Sequence, residues 1–97
     1  MREQEFENYL LKDDNIVSKV KAVRSRVNKA RMIERHFDAS LDYIVSGDKR
    51  MYKALLIIKA EMKDTNGNIS NALRKYYHYA NGVMFPTLSS YEKQFRK

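Results

Sequence analysis

Only three glycines and one proline interrupt this 97-residue chain, at Gly47, Gly67, Gly82 and Pro86. These residues are the strongest local breakers of helices, and helix formers dominate between them. Strict alternation is absent even from the β-branched stretch 16–37, where apolar residues recur every three to four positions. The chain is therefore expected to be all-α, a single domain over 1–97 built as a compact bundle of about four to five helices. Ninety-seven residues can bury one modest core, and 43% hydrophobic with 32% charged content is a globular balance.

The first helix is expected over about 2–12, with Phe6, Tyr9 and Leu10 on one face. Asp14 or Asn15 is placed to cap a long helix to about 37. Ile16, Val20, Val23, Val27 and Ala30 form its apolar stripe, flanked by Ile33 and Phe37. A short helix over about 39–46 turns Leu41, Ile44 and Val45 inward and stops at Gly47. Asp48 is then read as the cap of a helix over 49–63. Met51, Leu55, Ile58 and Met62 form its core stripe, and Leu56 and Ile57 widen it, which marks a central helix. Residues 64–68 read as a turn. A last strong helix over 69–80 exits at Asn81-Gly82 in the left-handed way. A tail helix over 88–97 carries Leu88, Tyr91 and Phe95.

Composition excludes several kinds of chemistry. There is no cysteine, hence no disulfide, thiolate metal site or cysteine nucleophile. No apolar run approaches the roughly 20 residues a membrane-spanning helix needs. The start MREQEFENYLL is acidic and leads into no signal core, so a soluble cytoplasmic protein with no membrane partner is expected. His36 and His78 have no carboxylate at a ligand spacing, and no phosphate loop or hydrolase motif is present. Neither an enzyme, a cofactor nor a metal is expected.

The net charge of +7 is unevenly placed. Residues 1–15 carry two cations and five anions, whereas 16–37 carry seven cations and one anion. Residues 38–67 balance, and 68–97 carry five cations against one anion. Such clustering favours a polyanionic partner. On the long helix Lys21, Arg24, Asn28, Arg31 and Arg35 share one stripe beside the apolar face. It spans roughly 20 Å at 1.5 Å per residue, enough to track one strand of duplex DNA.

The segment SNALRKYYHYANG is the second candidate surface. A helical wheel groups Ile69, Leu73, Tyr76 and Ala80 inward, with Ala72 beside them and Tyr77 at the boundary. Asn71, Arg74, Lys75 and His78 fall opposite. Tyr76 is thus expected in the core with its hydroxyl at the edge. Tyr77 and Tyr79 lie on different flanks and do not form an aromatic platform. The outer face, with the N–H groups of the helix start, is expected to take phosphate. Arg74 and Lys75 would contact the backbone, and Asn71 would read a base.

In order and spacing, the chain resembles the helical core-binding domain, the SAM-like N-terminal domain, of phage integrases and other tyrosine recombinases. The likeness rests on "FENYL", the basic helix "VSKVKAVRSRVNKARMIERHF", then "SLDYIV" and "NALRKYYHYANG" followed by "FP", covering most of residues 5–86. It implies a bundle that clamps duplex DNA. Catalysis in that family belongs to a separate domain with an HxxR element, and here His36 heads "HFDA" and His78 heads "HYAN". The resemblance thus implies DNA binding without strand transfer. The chain would be either the N-terminal part of a recombinase-like protein or a free-standing regulator of a phage or mobile element. Two other readings stand beside it. One is a small protein-interaction module binding an acidic protein, with self-association or docking through Leu88, Tyr91 and Phe95. The other is an RNA-associated basic protein.

Overall fold

The computed structural model describes residues 1–12 and 19–95. Its elements are α1 (Glu3–Leu11), α2 (Lys19–Phe37), α3 (Leu41–Val45), α4 (Asp48–Glu61), a 3-10 turn (Thr65–Gly67), α5 (Asn68–Asn81) and α6 (Leu88–Phe95). No strand occurs among the described residues. The expected all-α class holds, with six α-helices among the described residues where four to five were expected. The Asp14 or Asn15 cap and Ile16 lie outside the described residues.

The helix at the centre is α5, not α4. Ile69, Ala72, Leu73, Tyr76 and Tyr77 of α5 are buried, and α5 packs on α1, α2, α3 and α4. Leu56, expected to widen the buried face of α4, is 38% exposed, and Ile57 is half-buried. The reason is reach: α4 packs mainly on α3 and α5, so only one of its sides is covered. Met51, Ala54, Leu55 and Ile58 fill that side.

Helix α1 lies antiparallel to α2, with Glu3 against Arg31 and the Met1 amine against Glu34. Its nine residues span about 14 Å. Together with α5, they cover the apolar face of α2, where Val23, Val27, Ala30 and Ile33 are all buried. Val20, expected in this stripe, is 70% exposed because it lies beyond the end of α1.

Two caps differ from expectation. Ser46, not Gly47, closes α3: its N–H and its hydroxyl both donate to the Tyr43 carbonyl, at 3.3 and 2.7 Å. Gly47 has an extended φ of −137° and opens α4 as its N-cap. Asp48 is the first helical residue of α4, and its carboxylate accepts the Tyr77 hydroxyl at 2.7 Å. The left-handed exit of α5 is as expected, with Gly82 at φ 75° and its N–H on the His78 carbonyl at 2.9 Å.

The tail turns back onto its own chain. Phe85 packs edge-on to Tyr77 at 5.1 Å and against Tyr91 at 5.3 Å, and Tyr91 stacks on Tyr52 at 4.8 Å. The Tyr52 hydroxyl donates to Glu92 at 2.7 Å. Tyr91 is buried and Leu88 half-buried. This corrects their expected role as a docking surface, because the ring of Tyr91 is already enclosed by α4 and the 82–87 loop. The Phe95 side chain lies outside the described residues.

Candidate nucleic-acid interface

On α2 the row Lys21, Arg24, Asn28, Arg31 and Arg35 lies beside the face that packs on α1 and α5, along the α1 flank, and all five residues are exposed. The spacing of this row follows from the helical repeat alone. Among the described residues, Lys21, Arg24 and Arg35 have no hydrogen-bond or ion-pair partner. Arg31 is different: its Nε donates to Glu3 Oε1 at 2.5 Å, and its Nη1 to Asn28 Oδ1 at 3.3 Å. The ion pair and its hydrogen bond hold Glu3 below the ordinary carboxylate range and Arg31 above the ordinary guanidinium value. Between α1 and α2, Glu7, Arg24, Val27, Asn28 and Arg31 line an open groove of about 260 Å³.

On the other flank, Lys29 donates to Ser25 Oγ at 2.7 Å, and His36 Nε2 meets Glu61 at 3.1 Å. The row is thus bordered by acids of α1 on one side and by an internally paired strip on the other. Sequence reasoning missed Glu3 and Glu7 as part of this surface. The signal was present in the acidic first fifteen residues beside a basic helix, with two glutamates four apart, hence on one helical face.

Helix α5 departs from its expected role as a second contact. Asn71 is exposed and Lys75 half-buried. Arg74, expected to point outward, is half-buried and donates through Nη1 to the carbonyls of Phe85 and Pro86, both at 3.1 Å. Its guanidinium carbon lies 5.8 Å from the Phe85 ring centroid, and burial lowers its pKa below the ordinary guanidinium value. The loop after Gly82 folds back over the face the wheel left open, so Arg74 clasps that loop. His78 Nδ1 is hydrogen-bonded to the Tyr9 hydroxyl. That bond ties α5 to α1.

The start of α5 is closed as well. Asp64 Oδ1 accepts the N–H groups of Ile69 and Ser70 at 2.7 and 3.1 Å, and Oδ2 accepts the Ser70 hydroxyl. The expected phosphate-binding N–H groups therefore already face a carboxylate, which repels phosphate. Thr65–Gly67, with Asn66 and Gly67 at φ 57° and 73°, folds Asp64 back over the helix start.

The tyrosines of "KYYHY" are anchored by acids. Tyr76 is fully buried, as expected, and its hydroxyl donates to Asp42 Oδ1 at 2.6 Å while accepting the Arg2 N–H at 2.9 Å. Burial and the Asp42 bond push its pKa up to about 12. Burial and the Asp48 bond do the same for Tyr77, also to about 12. Tyr79 donates to Glu5 at 2.7 Å. A phenol held protonated by a carboxylate is the reverse of an activated nucleophile, which needs a lowered pKa or a free base beside it. Among the described residues no cluster of three or more His, Asp or Glu side chains could hold a metal ion. No helix among them is long and apolar enough to cross a membrane.

Comparison with protein-family models, with curated proteins and with solved structures gave no match to this chain.

Proposed function

We propose that the chain is a non-catalytic DNA-binding helical domain of the kind found at the core-binding position of tyrosine recombinases, and that α2 is its contact element. One observation carries this reading. Lys21, Arg24, Asn28, Arg31 and Arg35 are all exposed in a single row, and three of the four cations have no partner among the described residues. A helix kept basic only for solubility usually mixes signs to gain pairs along its own surface, and α2 has Glu34 as its one acid. That acid is used internally, by the Met1 amine and the Leu41 N–H.

Guanidinium groups suit phosphate oxygens, and a row of about 20 Å suits successive phosphates of one strand. With about three to five phosphates engaged, duplex binding should weaken with salt with a log–log slope of roughly −3 to −5. Changing Arg24, Arg31 and Arg35 together to Glu should abolish binding to all sequences while the helical circular dichroism persists. Full affinity in that variant, or binding indifferent to salt, would refute the proposal. Preference for structured RNA or for an acidic protein in competition would redirect it to those partners.

A further inference from the structure

We propose that Glu3 and Glu7 act as a built-in competitor for the basic row of α2 and so decide how dense a polyanion must be to bind there. This rests on the reading of α2 as the DNA contact and names the residues that set its selectivity. The two glutamates are four residues apart on α1, and α1 runs antiparallel to α2. That places Glu3 on Arg31, Nε to Oε1 at 2.5 Å, and Glu7 in the groove with Arg24, Asn28 and Arg31. A carboxylate on a guanidinium Nε takes a donor that a phosphate would otherwise take.

The competitor is displaceable. The Glu3 and Arg31 side chains are 39% and 52% exposed, and ion pairs at such exposure are weak and exchange with solvent and salt. The third acid of α1 plays no part: Glu5 faces α5 and accepts the Tyr79 hydroxyl. Duplex DNA presents about one charge per 1.7 Å of its axis, more than two glutamates can match. A sparse carboxylate surface of another protein offers Arg31 little that Glu3 does not already give, and it meets the negative charge of Glu7 in the groove that Arg24 lines. The pair thus filters partners by charge density, admitting a phosphate backbone and turning away weaker polyanions.

The test compares full-length wild type, E3Q/E7Q and E5Q by fluorescence anisotropy with a labelled duplex of arbitrary sequence across a salt series, with poly-glutamate as a second probe. E5Q is the control, because it changes net charge on the same helix away from the groove. E3Q/E7Q should bind duplex about three- to tenfold tighter at low salt and should capture poly-glutamate that wild type ignores. E5Q should stay within about twofold of wild type. If wild type binds DNA and E3Q/E7Q binds no tighter than E5Q, the competitor is disproved and the DNA reading stands. If poly-glutamate binds wild type as well as duplex does, the filter is disproved. If neither wild type nor E3Q/E7Q binds duplex at low salt, the DNA reading falls and this inference falls with it.

Discussion

Arg74 separates scaffold from interface most sharply, and its replacement by alanine tests the assignment. One nitrogen of its guanidinium serves two carbonyls, those of Phe85 and Pro86, and the group lies against the Phe85 ring. Hydrogen bonds from a charged donor are worth about 1.5–3 kcal/mol. The cation–ring contact adds about 0.5–1 kcal/mol. Burial of the charge, visible in its lowered pKa, offsets part of this. A net loss of about 2–3 kcal/mol is expected. For a domain near 100 residues each kcal/mol moves Tm by roughly 4–8 °C, so Arg74→Ala should melt roughly 10–20 °C below wild type.

The informative comparison is Arg24→Ala, since Arg24 is exposed and has no partner among the described residues. That change should leave stability within about 0.5 kcal/mol and flatten the salt slope of DNA binding by about one. Thermal unfolding followed by circular dichroism, beside anisotropy with duplex DNA at a temperature where both variants are folded, gives the two readouts. Arg74→Ala should lose stability and keep affinity, and Arg24→Ala the reverse. If Arg74→Ala melts with wild type and loses DNA, then the clasp on the 82–87 loop is incidental and the outward reading of this residue was right.

Two further outcomes follow from the buried polar groups. Tyr76 and Tyr77 have folded pKa values raised from 10.0 to about 12, so their stabilisation is complete below pH 10 and is lost as pH rises from 10 to 12. At about 1.4 kcal/mol per unit, and less after solvent screening, the two together are comparable to the low end of total domain stability. Helicity and the late tyrosinate absorbance should change together in that window; seven tyrosines titrating near 10 with helicity intact would refute it. Asp64→Ala removes the acceptor for the Ile69 and Ser70 N–H groups and should cost about 0.5–2 kcal/mol. Hydrogen exchange at those two amides should accelerate ahead of the rest of α5, and unchanged protection there would show that the cap is dispensable.

The residues that periodicity places correctly are those whose fate depends on their own helix. Leu73 and Tyr76 are buried, and Val27 and Ile33 face the core, because a 3.6-residue repeat fixes which side chains share a face. The exposed row from Lys21 to Arg35 was legible for the same reason. Periodicity says nothing of how far a neighbour reaches or what folds back over a face. Val20 belongs to the apolar stripe of α2 and is exposed because α1 ends too soon. Arg74 belongs to the polar face of α5 and is half-buried because a six-residue loop returns across it. Asp64 reads as a turn residue and becomes a helix cap only through the left-handed pair Asn66-Gly67. Leu88 and Tyr91 form an amphipathic stripe, and the sequence cannot say that the surface they cover is the protein's own.

Charge behaves in the same way. The acidic first segment and the basic helix can each be counted along the chain, but their antiparallel contact is a tertiary fact. It subtracts Glu3 and Glu7 from the field of α2 at the point where a partner would meet Arg31 and Arg24. A basic helix read alone therefore overstates its attraction for any polyanion. The strength of this surface is set by α1, an element that sequence reasoning assigned to the core alone.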